Sequence, residues 1–582
     1  MFSLISRLLV AVTLLAVFAA PLQPLHAQQV AGPDEPYSRG IVVADHPLAS
    51  EAGAEVLRKG GNVVDAAVAT AFALSVVRPE SCGLGGGGFM VIWNAERQEA
   101  IAIDYREQAP KNASRNMYIE ERDGKPLPSD ASRKGGLAAG VPGEVAGLCY
   151  ALQHYGSLDR AVVMEPAIRF ARDGVPVDGQ MRSAQRRTLA ALALRENGMQ
   201  QFAPLVEHYL NNGTLWKEGD RFHSPLADVL QRIAEQGRDG FYRGPVAEAL
   251  VATDQAQGGI ITLDDLATIE PRIRKPLQAW FSEMRVISMP PPSSGGIALI
   301  QTLNTISAWE AEHPDQRLEQ LGHNTVEMTQ LLTEALKHAF ADRARFLGDT
   351  DFAEVPVEKL ISAEYAVTIA SKIRLGQTHP ADFYGTTAAH RDAGTSHFCV
   401  IDAAGNAVAC TETINTTFGS YVVDPKFGVI FNNEMDDFTA RPGEPNVFGL
   451  MQSEANAIAP GKKPLSSMTP TIVVKDGKAV MAAGASGGPR IITATLQVLL
   501  NMIRFGMSPS EAVSAPRIHH QWMPDELLIE RPIRSKVGPR LEKIGHEVKS
   551  SSGLAASQAA ALSEDGLRGG SDPRKGGQPA GW

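Results

Sequence analysis

Along residues 49–77, Ala, Val and Leu recur every three or four positions and Gly60-Gly61 interrupts them, which predicts two tightly packed helices. An apolar stretch at 89–93 reads as a strand. Helical spacing dominates from 145 to 372, with turns predicted at Asp173-Gly174, Asn211-Asn212-Gly213 and Gln257-Gly258-Gly259. Residues 376–394 are different: Thr, Ala, Gly, Asp and His without apolar periodicity predict an exposed loop. Residues 395–402 then read as a strand that turns at Ala403-Ala404-Gly405-Asn406 and returns through 407–413. A strand is predicted at 428–432 and a long loop rich in Pro, Gly and Asn at 439–467. Two more strands, 470–474 and 479–484, flank Lys475-Asp476-Gly477-Lys478, whose Asp-Gly step signals a tight hairpin. A helix over 491–504 finds its stop at Gly506. No repeat of about 20 to 50 residues is evident, which argues against solenoids and propellers.

The run Cys82-Gly83-Leu84-Gly85-Gly86-Gly87-Gly88 contains a Gly-x-Gly-x-x-Gly match. A dinucleotide-binding loop follows a strand and opens a helix, whereas here a helix precedes and a strand follows. The reversed context excludes a nucleotide cofactor. Close backbone packing, which needs the missing side chain, is the better account.

Composition narrows the function classes. Of 582 residues, 44% are hydrophobic and 21% charged, an ordinary globular balance. A net charge of -10 with no long basic run argues against a nucleic-acid binder. The start carries an address: Arg7, an apolar run at 8–20 and small Ala27 before Gln28. That run is too short for a hydrocarbon core of roughly 30 Å, so we expect a cleaved export signal over residues 1–27 rather than a membrane anchor. The periplasm is the expected destination, with full secretion the alternative. The four cysteines, Cys82, Cys149, Cys399 and Cys410, fit no zinc spacing and are expected as buried free thiols. Cys399 and Cys410 fall opposite each other if the hairpin turns at 403–406.

The junction Gly394-Thr395 carries the sharpest chemistry. If that peptide bond is cut, Thr395 holds both a hydroxyl nucleophile and a free α-amine that can serve as its base. An ordinary loop entering a hairpin would look the same in these residues alone.

Blocks spread over the chain resemble, in order, the gamma-glutamyltransferase (gamma-glutamyltranspeptidase) family of N-terminal nucleophile hydrolases. They include Ile103-Asp104-Tyr105-Arg106-Glu107, Val141-Pro142-Gly143, Pro291-Pro292-Ser293-Ser294-Gly295-Gly296 and Asn432-Asn433-Glu434-Met435-Asp436-Asp437-Phe438. Pro464-Leu465-Ser466-Ser467-Met468-Thr469-Pro470, Gly484-Ala485-Ser486-Gly487-Gly488 and the tail Ser571-Asp572-Pro573-Arg574 continue the series. The resemblance implies an α+β fold, a four-layer αββα sandwich. It also implies self-cleavage between Gly394 and Thr395 into a large chain, 28–394, and a small catalytic chain, 395–582, that stay together as one fold. The implied substrates are glutathione and other γ-glutamyl compounds, with water, amino acids or peptides as acceptors.

A γ-glutamyl group presents an amide, an α-carboxylate and an α-ammonium. By the resemblance Arg106 takes the carboxylate, for which a planar guanidinium is suited. The hydroxyls of Ser466 and Ser467 complete that subsite. Glu434, Asp437 and Asn415 offer acceptors for the ammonium. Gly487 and Gly488 match the family's oxyanion hole at a helix start. Thr413 matches the residue that helps activate the nucleophile, and Phe448, within 442–460, matches an aromatic lid. No metal or organic cofactor is required. His397 lies roughly 6 to 7 Å along an extended strand from Thr395, beyond direct reach, and is read as structural. Two rivals remain: a cephalosporin or glutaryl acylase on the same fold, which has no need of an ammonium site, and an inactive periplasmic binding protein.

Overall fold

Two sets of strands, most of them buried on both faces, set the architecture. The computed structural model describes residues 36–121, 127–385, 394–440 and 453–582. The expected signal, residues 386–393 of the loop before Thr395, and Phe448 lie outside the described residues. The strands of the two main sheets are β1 (Gly40–Ala44), β2 (Gly87–Asn94), β3 (Glu99–Asp104), β4 (Arg272–Arg274), β5 (Leu277–Phe281) and β6 (Met284–Ser288). They continue as β7 (Ser396–Asp402), β8 (Ala407–Thr413), β9 (Thr471–Lys475), β10 (Lys478–Ser486), β11 (Ala556–Ser563), β12 (Gly566–Ser571) and β13 (Gln578–Gly581). Among the described residues the first sheet runs β13-β1-β7-β8-β2-β3-β4 and the second β12-β11-β10-β9-β6-β5, and every ladder is antiparallel.

Helices cover the outer faces. On the first sheet lie α1 (Pro47–Arg58), α2 (Val63–Val77), α3 (Glu144–Tyr155) and α4 (Arg160–Asp173), sharing one apolar core with Val400, Val408 and Met90. On the second lie α5 (Gly295–Glu312), α6 (Val326–Phe346), α7 (Arg490–Phe505) and α8 (Arg531–Lys543), packed with Val473, Ala483 and Ala559. Between the sheets Ile41, Val91, Ile401 and Ala409 meet Ile287, Ile472, Ala482 and Ala560. This is the expected αββα sandwich. The helix and hairpin signals hold locally too: Asn62 and Asp65 form a reciprocal cap on α2, and Gly506 closes α7 in the left-handed region at φ 64°. Asp476 (φ 49°) and Gly477 (φ 77°) make the tight turn between β9 and β10.

Four expectations needed correction. Residues 272–288, read as part of a helical region, form β4, β5 and β6, because their apolar side chains alternate rather than recur every three or four. Residues 428–432 form no strand, only an isolated bridge between Val423 and Ile430. Cys399 pairs across the hairpin with Ala409, and Cys410 with Phe398. The two thiols therefore point to opposite faces, Cys399 between the sheets and Cys410 beneath the helices, and all four cysteines are free. Cys149 is only partly buried.

The glycine run after α2 acts through packing. A Cβ on Gly85 would lie 2.0 Å from the Ile430 carbonyl oxygen, and one on Gly86 2.0 Å from that of Thr413. The Gly143 amide donates to the Gly86 carbonyl at 2.9 Å, and a Cβ on Gly143 would lie 2.1 Å from the Tyr105 carbonyl. Three separated sequence blocks thus meet backbone to backbone beneath Thr413. Gly86→Ala is expected to destabilise the fold by on the order of 3 kcal/mol. Gly179→Ala, with nothing within 4 Å, should leave the unfolding midpoint unchanged. Thermal denaturation of the two variants checks the contrast.

Candidate active site

The register of β7 and β8 decides what Thr395 meets. Ser396 pairs with Glu412 at the end of the ladder, so the next step sets Thr395 opposite Thr413 on the face between the sheets. Their hydroxyl oxygens lie 3.3 Å apart, and Thr395 is 5% exposed. Thr413 Oγ1 donates to the Gly394 carbonyl at 3.0 Å and accepts from the Asn415 amide at 2.8 Å. The Thr395 hydroxyl itself lies against the Gly394 carbonyl, the bond that processing would cut. Lys575, from the tail, donates to the Thr395 carbonyl at 2.5 Å and pairs with Asp45 at 2.5 Å. His397 is engaged elsewhere, with Thr411 Oγ1 at 2.7 Å and Cys399 Sγ at 3.2 Å. Burial pulls its imidazole down to about 3, so it offers no proton switch near neutrality.

Arg106 occupies the turn after β3 and is 1% exposed. Its guanidinium meets Glu434 at 2.8 Å and Asp437 at 2.6 Å, and its Nε donates to the Pro464 carbonyl at 3.3 Å. Burial works against the guanidinium, but the two carboxylates outweigh it and hold Arg106 above its ordinary value. Burial lifts both acids, Glu434 strongly, and Arg106 offsets part of each rise. Asn432 seats the acidic loop, accepting from the Glu434 and Gly140 amides at 3.0 and 2.9 Å and donating to the Gly85 and Gly140 carbonyls at 2.8 Å each.

Ser466 and Ser467 sit on a loop that the Pro291 to Gly296 block grips. The Ser466 amide donates to the Pro292 carbonyl at 2.8 Å, and the Ser294 amide to the Ser466 carbonyl at 2.8 Å. A second clamp lies just upstream, where Lys463 meets Asp104 Oδ1 at 2.8 Å and Arg274 meets Asp104 Oδ2 at 2.7 Å. Asp104 immediately precedes the Tyr105-Arg106 step, so one carboxylate fixes both the arginine and the serine loop.

A single cleft lined by Thr395, Thr413, Arg106, Asn415, Glu434 and Asp437 also takes in Ser466, Ser467 and Gly488. Gly487 stands one residue earlier in the turn from β10 to α7; it has φ 139° and Gly488 φ 58°, so both sit in glycine-favouring backbone. The cleft volume is about 20 Å³, room for about one water. Sequence reading missed Arg343, Lys463 and Lys575. No local signal marks them: a helix residue and two basic residues near loops acquire meaning only through distant partners.

A hydroxyl at the head of a strand in an αββα sandwich, lying against the carbonyl before it, defines the class of N-terminal nucleophile hydrolases. Comparison narrows the class. The gamma-glutamyltranspeptidase family profile matches residues 49–582, and the chain belongs to that family. The glutathione hydrolase proenzyme of Escherichia coli is 40% identical over 546 residues, 92% of this chain and 90% of that one. Among solved structures, cephalosporin acylase from Bacillus halodurans superposes with a TM-score of 0.82 at 26% identity, over 97% of this chain and 99% of that chain. Helicobacter pylori gamma-glutamyltranspeptidase gives 0.52 at 38% identity, over 58% of this chain and 92% of that chain. Among the described residues no helix is long and apolar enough to cross a membrane.

The Asp104 clamp is testable by pH. Burial pushes its carboxyl up, yet Lys463 and Arg274 outweigh this and hold it below its ordinary value. A lowered native pKa contributes stability above the unfolded value, about 3.9, that is lost as pH falls through the native one. Asp104→Asn should therefore lower stability by on the order of 3 kcal/mol at neutral pH. The gap to wild type should close on acidification below about pH 4. Urea unfolding across a pH series measures it.

Proposed function

We propose that the protein is a gamma-glutamyltransferase and glutathione hydrolase. On this reading it is exported, cut by its own Thr395 between Gly394 and Thr395, and active as a large chain, 28–394, with a small chain, 395–582. The observation that carries the reading is the cleft itself, where the Thr395 hydroxyl shares one small space with a buried arginine and two buried carboxylates. The α-carboxylate and α-ammonium of a γ-glutamyl group are the complement of that set. As substrate enters, its carboxylate takes Arg106 together with Ser466 and Ser467, and its ammonium takes Glu434, Asp437 and Asn415. Each buried charge exchanges an internal partner for one on the substrate, so none is left bare.

The chemistry then needs no cofactor. The freed α-amine of Thr395, with an ordinary pKa of about 7.7 to 8.0, accepts the hydroxyl proton as Oγ1 attacks the γ-carbonyl. Thr413 holds that hydroxyl, and the amides of Gly487 and Gly488 stabilise the oxyanion. The amide C–N bond breaks, the proton passes to the leaving amine, and a threonyl ester remains for water or an amino acid or peptide to attack. The two chains stay joined because β7 and β8 of the small chain lie between β1 and β2 of the large one, and β9 pairs with β6. The periplasm is the proposed location.

The acylase alternative has the sandwich in its favour, since a cephalosporin acylase shares it. An ammonium-free glutaryl substrate would offer no cation to Glu434 and Asp437, which disfavours it.

Purified protein should give two bands on a denaturing gel, the smaller beginning at Thr395 by N-terminal sequencing. Thr395→Ala should remain a single inactive chain; a cut variant or another N-terminus in active enzyme would refute the nucleophile. Asp437→Asn should lower kcat/KM for γ-glutamyl-p-nitroanilide by roughly tenfold or more while changing glutaryl-p-nitroanilide little. An unchanged ratio between the two would favour the acylase.

A further inference from the structure

Arg343, near the end of α6, lines the same cleft, and the acyl transfer described above gives it no task. It is 2% exposed. Its Nε donates to Ser294 Oγ at 2.9 Å, and Ser294 Oγ donates to the Ser466 carbonyl at 2.6 Å. One edge of the guanidinium is thereby anchored to the serine loop. Its Nη1 is buried and has no hydrogen-bond partner. Buried donors on a charged group are satisfied in almost all native sites, so an orphan in a cleft points to a ligand atom.

The neighbouring charges say what kind of atom. Burial draws the Arg343 guanidinium down to about 10; Asp437 resists that shift and Arg106 adds to it, and the group stays cationic at neutral pH. Asp437 is already committed to Arg106 at 2.6 Å, and Glu434 to Arg106 at 2.8 Å. The two arginines thus share Asp437, which sits on Arg106, and the donor left over belongs to Arg343. A carboxylate accepts at both oxygens and is the group of a γ-glutamyl substrate that can use two guanidinium forks.

We propose that Arg343 is a specificity-determining residue that binds the substrate α-carboxylate through Nη1, at the oxygen Arg106 does not take. Selection for an α-carboxylate then rests on a pair of arginines from different elements, with Ser294 fixing the second. The inference rests on the γ-glutamyl reading, and the test separates the two.

The experiment measures kcat and KM of processed wild type, Arg343→Gln and Arg343→Lys. One substrate is γ-glutamyl-p-nitroanilide; the other is 4-aminobutyryl-p-nitroanilide, which keeps the amide and amino group but lacks the α-carboxylate. Slow acylation is followed in single turnover. Arg343→Gln should raise KM for the glutamyl substrate by about tenfold or more with kcat within about threefold, and leave kcat/KM for the truncated substrate within about threefold. Arg343→Lys keeps the charge without the fork and should show a smaller rise of the same kind, which covers the case that the glutamine variant fails to fold or process. An unchanged KM, or equal losses on both substrates, would overturn the inference and leave Arg343 a brace for Ser294. Wild type inactive on γ-glutamyl-p-nitroanilide would instead sink the γ-glutamyl reading.

Discussion

A guanidinium removed from water must be paired, and the architecture of this cleft follows from how Arg106 meets that demand. It is buried to 1% exposure and satisfied by Glu434 and Asp437, which are themselves buried and lifted toward their neutral forms. None of the three is comfortable without the others. The loop of 432–438 is held by Asn432 against the glycine run, and the arginine by Asp104, so the charges are aimed by backbone contacts rather than by their own attraction. On the proposed reading, this set of mutually dependent buried charges around about 20 Å³ of free space exchanges partners with a zwitterionic substrate.

The placement of the Thr395 hydroxyl depends on a different constraint, the pleat. Because Thr395 continues β7 one step beyond the Ser396–Glu412 pair, its side chain falls on the same face as Thr413. A slip of one residue would send that hydroxyl toward the helices. The same strands interleave residues from before and after the Gly394–Thr395 bond, so cutting that bond severs no ladder and leaves both cores intact.

Side chains far apart in sequence complete the site. Lys575 reaches the Thr395 carbonyl from near the C-terminus, and Lys463 and Arg274 converge on Asp104. Arg343 arrives on a helix that covers the second sheet and touches the serine loop through Ser294. These are basic residues in unremarkable local settings, and their partners lie tens to hundreds of positions away.

By itself the sequence determined whatever depends on near neighbours: α1 and α2 from their spacing, the Asp476-Gly477 turn, the Gly506 stop, and the Gly394-Thr395 junction at the head of a strand. Its ordered blocks also named the residues that gather in the cleft, since each carries its motif locally. It misread 272–288 and 428–432, where short elements are chosen by the sheet they join or fail to join. Only the tertiary structure decided that Cys399 and Cys410 face apart, that Arg106 pairs with both acids, and that Arg343 enters the site. Those outcomes depend on register and on which buried charges meet, and neither is encoded within a window of a few residues.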